Sequence, residues 1–285
     1  MSLDLDTRQR AMLKEMGVRV WWPQADQIEE AAIAGAASIA APEPLAPPAA
    51  RPTTARANAP AIGDQPGAAP TPAACERGQA IAQMDWQTLQ QSVAGCRACA
   101  LCETRKNTVF GVGQPIAPVD WLIIGEAPGE NEDIQGEPFV GAAGKLLDNM
   151  LKAVGLDRHR PAEAGAARVF IVNVLKCRPP GNRNPQASEI AQCEPYLARQ
   201  IELLQPRVIL ALGRFAVQTL LAPSVPNVQS QPLGKLRGRV YRWSEVPVVV
   251  SYHPAYLLRS LPDKAKAWAD MCLAIAALKG SAPRA

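Results

Sequence analysis

The most chemically loaded stretch of the sequence is a short apolar strand that runs directly into a turn rich in carboxylates. Residues 121–124 are wholly apolar, and the chain then breaks at Gly125 into a Gly/Pro-rich turn that precedes Phe139. The acids of this turn are Glu126, Glu130 and Glu132. Open α/β sheets place their ligand sites at the carboxyl ends of strands. Carboxylates and an aromatic ring at such a position favour a catalytic or binding site over a plain connection.

Two further polar residues occupy comparable positions. Asn173 lies within the apolar stretch 169–175, and His253 directly follows the apolar stretch 246–252. In a parallel sheet, residues at strand ends meet along one edge. We therefore expect Glu126, Asn173 and His253 to gather there. The other of the two histidines, His159, lies in a polar segment and is expected to be exposed.

The cysteines predict a metal or cluster site. Cys96 and Cys99 have the Cys-x-x-Cys spacing that lets two thiolates reach one centre, and Cys177 and Cys193 follow much later in the chain. Four thiolates satisfy a [4Fe–4S] cluster or a structural zinc ion. We assign Cys96, Cys99, Cys177 and Cys193, although Cys99 would pair equally well with Cys102. The plainer alternative for this set is buried free thiols. Cys75 in the linker and Cys272 in an apolar helix are interpreted as ordinary thiols.

Alternating strands and helices must position these residues. Predicted strands cover 121–124, 169–175, 206–213 and 246–252, and predicted helices cover 145–154, 186–204, 214–221 and 263–279. A shorter helix over 84–93 has Asp85 as its N-cap, and 234–239 reads as a turn or short hairpin. This order predicts an α/β fold, a three-layer sandwich with a central, mainly parallel sheet.

Composition sets the outer limits. The chain has 285 residues, a formal charge of +4 and seven cysteines, an odd number. The mild positive charge permits a nucleic-acid partner without requiring one. No apolar run is long enough to span a bilayer, so we expect a soluble, intracellular protein in a reducing compartment.

The amino-terminal part has a different character from the rest. We predict a helical segment over 1–34, a disordered Ala/Pro-rich linker over 35–76 and the catalytic or binding domain over 77–285. Two interpretations of the first segment stay open: a helix docked on the domain, or a tethered peptide that binds a protein partner. We expect a monomer.

Four motifs together resemble those of the family 4 uracil-DNA glycosylases, the iron–sulfur members of the uracil-DNA glycosylase superfamily. They are Gly125–Glu132, Gly136–Gly141, Asn173–Pro180 and His253–Leu258. The resemblance covers residues from roughly 90 to 280 and keeps the family's motif order. It implies the uracil-DNA glycosylase-like fold and a [4Fe–4S] cluster that staples loops rather than performing redox chemistry. It also implies a bacterial, cytoplasmic, nucleoid-associated protein.

The implied activity is monofunctional hydrolysis. Such an enzyme flips uracil out of single- or double-stranded DNA, hydrolyses its N-glycosidic bond and leaves an abasic site in base-excision repair. By resemblance, Phe139 stacks on the base, Asn173 reads its Watson–Crick edge and His253 stabilises the anion that leaves. Gly125 and Ala127 match positions that line the pocket.

The group that positions water is less directly indicated. Superfamily members with Gly-Gln-Asp-Pro hold water with an aspartate, where this sequence has Ala127. We assign Glu126 and Glu132 jointly. For DNA contact, the resemblance assigns Leu257 and Leu258 as an apolar wedge with Arg259 beside them. Further candidates for backbone contact are Arg178, Arg183, Lys235, Arg237, Arg239 and Arg242.

Three alternative functions compete with this interpretation. A relative that crosslinks itself to uracil-DNA through a histidine in a basic insertion is disfavoured, because no histidine lies between Asn173 and His253. A non-catalytic iron–sulfur DNA-binding or polymerase-associated module would not need the full set of pocket residues. A small-molecule α/β hydrolase would need a serine nucleophile elbow and would leave the cysteines unexplained.

Overall fold

The structure, a computed structural model, describes residues 8, 12, 15, 16, 72–160 and 167–280. These residues belong to one compact unit. The predicted segment 1–34 is therefore described at four positions only, and 35–71 of the predicted linker lies outside the described residues.

Strands and helices alternate along most of the described chain. The strands are β1 (Val112–Gly113), β2 (Trp121–Gly125), β3 (Val169–Asn173), β4 (Val208–Leu212), β5 (Val240–Trp243) and β6 (Val246–Ser251). The helices are α1 (Pro72–Ala82), α2 (Trp86–Ala94), α3 (Leu101–Thr104), α4 (Glu130–Gln135), α5 (Ala142–Ala153), α6 (Ala187–Leu204), α7 (Arg214–Leu221), α8 (Leu233–Leu236), α9 (Pro254–Leu257) and α10 (Asp263–Gly280). Short 3₁₀ turns cover Pro180–Asn182 and Val228–Ser230.

The strands form one sheet in the order β1-β3-β2-β4-β6-β5. The four inner strands are parallel, whereas β1 and β5 pair antiparallel at the two edges. The predicted α/β class with a mainly parallel sheet is confirmed. Gly125 lies opposite Asn173, and Leu212 lies opposite Ser251. This register brings the carboxyl ends of β2, β3, β4 and β6 to one edge.

Helices cover both faces of the sheet because its inner strands are apolar on both sides. Trp121 and Ile123 belong to the core that includes residues of α5 and α10. Leu122 and Ile124 point the other way, into a core with residues of α6 and α7. Fully apolar strands of this kind are typical of parallel sheets buried between two helical layers.

The predicted elements differ from the structure mainly at short segments. Helix α1 begins at Pro72, inside the predicted linker, and α4 occupies part of the predicted carboxylate turn. The segment after Gly234 forms α8 and then β5, which pairs with β6. Asp85 does cap α2, since its carboxylate accepts a bond of 2.7 Å from the Thr88 amide. Among the described helices, none is long and apolar enough to cross a membrane.

Candidate active site

Asn173 presents an unused acceptor at the carboxyl edge of the sheet. Its side chain is 2% exposed, and its Oδ1 has no hydrogen-bond partner among the described residues. Leaving a buried acceptor unpaired costs about 1–3 kcal/mol. The position therefore suits a ligand that donates a hydrogen bond.

Gly125 makes room for that acceptor. A Cβ atom at this position would lie 2.4 Å from Asn173 Oδ1 and 2.5 Å from Phe139 Cζ. Only glycine therefore lets the amide and the aromatic ring approach each other across the end of β2.

Phe139 is held in a constrained backbone conformation. Its φ of 56° lies in the left-handed region, which is costly for a bulky residue and persists only where the surroundings enforce it. Arg158 contributes by donating to the Pro138 carbonyl at 2.7 Å. Gly144 contributes by close approach, since a Cβ there would overlap the Phe139 carbonyl oxygen at 1.7 Å. The Phe139 ring stacks on the His253 ring at an interplanar angle of 29°, with centroids 5.4 Å apart.

His253 is a neutral imidazole with a defined tautomer. Its Nδ1 accepts a hydrogen bond of 3.2 Å from the Ala255 amide, so the ring proton is assigned to Nε2. Burial lowers the pKa of His253 to about 4, against an ordinary value of 6.5. At neutral pH the ring therefore offers one N–H donor to a ligand and carries no charge.

The two predicted carboxylates have different surroundings. Glu132 accepts bonds from the backbone amides of Gly129, Val140 and Gly141, at 3.1, 2.9 and 3.1 Å. Its oxygens thus join the turn before α4 to the start of α5. The Glu126 carboxylate accepts no hydrogen bond from the described residues, and the residue lines an open groove with His253 and Arg214. Burial raises the pKa of Glu126, and the charge of Arg214 opposes that shift.

Five cysteines line one cavity on the far side of this turn. They are Cys96, Cys99, Cys102, Cys177 and Cys193. Cys177 and Cys193 are buried, at 4% and 5% exposure, and burial raises the pKa of Cys193 to about 11. Ala127 packs beside this cluster, so the turn separates the groove from the thiols. The described residues contain no set of three His, Cys, Asp or Glu side chains arranged to hold a metal ion.

Cationic side chains surround the thiols. Arg105 Nη1 donates to Cys177 Sγ at 3.0 Å, and its other terminal nitrogen donates to the Cys96 carbonyl at 2.8 Å. Arg77 of α1 lies 3.8 Å from Cys96 Sγ. Lys176 is fully buried and donates to the Asn173 carbonyl at 2.6 Å. Burial lowers the pKa of Lys176 to about 8, while the charges of Cys193 and Cys177 act in the opposite direction.

Comparison with known proteins places this arrangement in a family. A model of the Uracil DNA glycosylase superfamily matches residues 110–273. The chain belongs to that superfamily. It is 44% identical over 177 residues to the Type-4 uracil-DNA glycosylase of Sulfurisphaera tokodaii, covering 60% of this chain and 75% of that protein. The Type-4 uracil-DNA glycosylase of Archaeoglobus fulgidus is 44% identical over 172 residues, which is 59% of this chain and 80% of the relative. That of Thermotoga maritima is 38% identical over 177 residues, 61% of this chain and 83% of the relative.

The predicted DNA-contacting residues of this superfamily member are divided between core and surface. Leu257 is fully buried, whereas Leu258 is 43% exposed and Arg259 lies at the surface beside the groove. The nearby Leu261, which sequence reasoning missed, is 60% exposed. Its signal was an apolar residue two positions beyond Arg259.

The basic candidates also divide into two groups. Arg237 is bound to the buried carboxylate of Asp270 at 2.7 Å, and Arg183 is paired with Glu189. Both are thus committed within the protein. Lys235 and Arg239 are exposed, and Arg178 and Arg242 have only long pairings of 3.5 and 3.6 Å with carboxylates. His159 is exposed, as expected.

Three residues near the thiols escaped sequence reasoning. Arg77 and Arg105 lie in polar stretches and carry no distinguishing pattern. Lys176 did carry a signal, because it is a charged residue immediately after the apolar run 169–175 and before Cys177. Sequence alone could not show that its ammonium group turns back toward Asn173.

Proposed function

We propose that this chain is a monofunctional uracil-DNA glycosylase that hydrolyses the bond between uracil and deoxyribose, leaves an abasic site and so begins base-excision repair. The observation that carries this proposal is the unpaired Oδ1 of Asn173, buried between Gly125 and Phe139. An amide offers one acceptor and one donor side by side, which match N3–H and O4 of uracil. Cytosine presents the opposite pattern and is rejected because buried polar groups would be left unpaired.

His253 stabilises the leaving base. As the glycosidic bond breaks, negative charge develops on uracil, and a fixed donor aimed at O2 lowers the energy of that state. The Ala255 amide holds Nδ1, which leaves Nε2–H as the donor. A neutral donor suffices, so the lowered pKa of His253 is compatible with its role.

Glu126 positions the attacking water and stabilises the cationic sugar. Its carboxylate faces the groove and accepts no hydrogen bond from the described residues, so its oxygens are available to water. Glu132, assigned the same role from sequence, acts through structure because its oxygens hold three backbone amides. We therefore assign Glu132 as a positioning residue for the turn that carries Glu126.

The groove lining explains why the reaction stops at the abasic site. Strand cleavage by a glycosylase requires an amine that forms a covalent adduct with the sugar. The residues that line the groove include no lysine. Lys176 is buried behind Asn173 and directs its amine at a backbone carbonyl.

The cysteine cavity is proposed to hold a [4Fe–4S] cluster through Cys96, Cys99, Cys177 and Cys193. All four of these cysteines line the same cavity, where Cys177 and Cys193 are buried. Three cations around the thiols suit an anionic tetrathiolate centre. When bound, the cluster would link the segment between α2 and α3, the segment after β3, and α6, and so contribute folding energy.

DNA is gripped along the groove. We propose that Leu258, with Leu261, fills the gap left by the flipped nucleotide, because both are exposed near the groove. Leu257 supports that loop from the core rather than contacting DNA. Arg259, Arg178, Lys235 and Arg239 are the proposed phosphate contacts, since they are not held by close ion pairs.

The decisive experiment is base release from a duplex with a single uracil. We expect release by the wild type, a loss of at least a hundredfold in His253→Ala, a comparable loss in Asn173→Asp, and no change in His159→Ala, the exposed-histidine control. If a folded protein with a full complement of iron released no uracil from single- or double-stranded DNA, the proposed glycosylase activity would be wrong. That result would leave a non-catalytic DNA-binding module.

A further inference from the structure

Lys176 lies between the base-reading residue and the cysteine centre. Its side chain is among the largest that are fully buried, and it makes one hydrogen bond, to the Asn173 carbonyl at 2.6 Å. No carboxylate of the described residues lies within ion-pairing distance of it. Its side chain lines the cavity that also contains Cys177 and Cys193. An ammonium ion buried without an anionic partner is costly, so the protein gains by placing negative charge at those two sulfurs.

The segment that connects the two sites is fixed at each residue. The Val174 amide donates to the Gly125 carbonyl at 3.0 Å, and the Leu175 amide donates to the Glu126 carbonyl at 3.1 Å. The Lys176 carbonyl accepts from the Val109 amide at 2.8 Å. A displacement of Lys176 therefore moves the carbonyl of Asn173 together with the backbone of the catalytic turn.

We propose that Lys176 is a positioning residue that couples the cysteine-bound cluster to uracil recognition. Its ammonium group, attracted by the anionic thiolate centre, fixes the Asn173 backbone and so orients the amide that reads the base. This inference rests on the proposed function and on the proposed cluster. Arg105 and Arg77 also face the thiols, but their remaining hydrogen bonds go to α2, Cys96 and α6 and not to the pocket. Lys176 alone among these three cations joins both sites.

Reciprocity provides a test on the unmodified protein. If cluster binding favours uracil binding, then uracil must favour cluster binding by the same factor. We expect free uracil at saturation to raise the iron retained against a competing chelator, equivalent to about a fivefold to tenfold shift in the chelator concentration needed. Thymine, which carries a methyl group that the pocket must accommodate, serves as the comparison ligand. Equal iron retention with and without uracil would overturn the coupling.

Variants separate coupling from general stabilisation. Lys176→Met removes the charge and shortens the side chain by a single heavy atom, whereas Lys176→Arg keeps the charge. Lys152→Met is the control at an exposed lysine of α5. We expect uracil to protect the cluster in Lys152→Met and, in part, in Lys176→Arg, but not in Lys176→Met. Lys176→Met should also bind uracil about tenfold more weakly, measured as inhibition of base release, with an unchanged KM for DNA. Full protection in Lys176→Met would show that Lys176 only fills space.

The readouts distinguish the two proposals. If the wild-type protein neither releases nor binds uracil, the proposed function itself is wrong. If the protein releases uracil but added uracil does not change its iron retention, only the proposed coupling is wrong. If Lys176→Met does not fold, the comparison of wild type with and without uracil still decides.

Discussion

At the scale of single residues, Gly125 sets the size of the pocket. A methyl group there would lie within 2.5 Å of both Asn173 Oδ1 and Phe139 Cζ, so one or both side chains must move. We expect Gly125→Ala to reduce base release by at least a hundredfold and to lower the free energy of unfolding by about 1–3 kcal/mol. Gly78→Ala is the control, because a Cβ at that helical position meets nothing within 4 Å. If Gly125→Ala released the base at the wild-type rate, uracil would not bind in the pocket beside Gly125.

His253 gives the protein a pH dependence whose sign follows from its pKa. The folded pKa of about 4 lies below the ordinary value of 6.5, so the unfolded chain takes up the proton first as pH falls. Stability from this residue is therefore complete above about pH 6.5 and declines toward pH 4. We expect roughly 1–2 kcal/mol of unfolding free energy to be lost between pH 7 and pH 5, and less in His253→Gln. Denaturant titrations at both pH values measure this. If His253→Gln lost the same unfolding free energy between pH 7 and pH 5, the pH dependence would come from titratable groups other than His253.

At the scale of elements, the strands and long helices could be predicted from sequence because their signal is local. The apolar run 121–124 and the helix 214–221 depend on periodicity and flanking glycines, which the chain itself displays. Helix α4 was missed because Pro128, Gly129 and Gly136 dominate its surroundings, and its stability depends on Glu132 as a capping side chain. The edge strand β5 was missed because it alternates between exposed and half-buried residues and is defined by its pairing with β6.

The site shows the same division between local and tertiary information. The motifs were sufficient to indicate Asn173, Phe139 and His253 as a group, and the structure brings them together at one edge of the sheet. They could not separate the roles of Glu126 and Glu132, because both are acids in one turn. That separation depends on which backbone amides each carboxylate reaches after folding.

The division between the two acids predicts opposite effects on stability. Removing the Glu132 carboxylate frees three amides at the ends of α4 and α5, so Glu132→Ala should lose about 2 kcal/mol of unfolding free energy. Glu126→Gln removes a partly buried charge whose pKa is raised by burial, so it should keep or slightly increase stability while slowing single-turnover base release. Unfolding by denaturant and single-turnover kinetics measure both variants. If Glu132→Ala kept the wild-type stability and lost activity, Glu132 would act in catalysis and not as a positioning residue.

The cysteine centre joins elements that are distant in sequence, and its ligand set predicts a second contrast. Cys96→Ala should lose the cluster, because Cys96 is one of the four proposed ligands and Arg77 lies 3.8 Å from its sulfur. Cys102→Ala should keep it. Iron and acid-labile sulfide per chain, with the visible absorption spectrum, measure both variants. If the protein bound zinc instead of iron, the centre would be a single-ion site and not a cluster. If only Cys102→Ala lost the metal, Cys102 would be the ligand in place of Cys96.

At the scale of the whole molecule, the amino-terminal residues bear on the stability of the domain. Met12 and Met16 are 6% and 2% exposed and belong to the same core cluster as Trp268 and Met271 of α10. The buried Lys264, at the start of that helix, donates to the Met16 carbonyl at 3.1 Å. These contacts favour the docked-helix interpretation over a freely tethered peptide, and they place Met12 and Met16 against the helix that follows the proposed DNA wedge.

This docking can be tested by truncating the two buried side chains. Methionine-to-alanine changes in a core cost about 2–5 kcal/mol each, so Met12→Ala with Met16→Ala should lower the free energy of unfolding by several kcal/mol. Arg8→Ala, at an exposed position of the same segment, is the matched control and should have no effect. Denaturant unfolding of all three proteins gives the comparison. If the double variant were as stable as the wild type, the two methionines would be free to bind a partner protein. A loss of stability confined to the double variant would instead mean that a partner must first displace them from α10, at an energetic cost equal to what docking contributes.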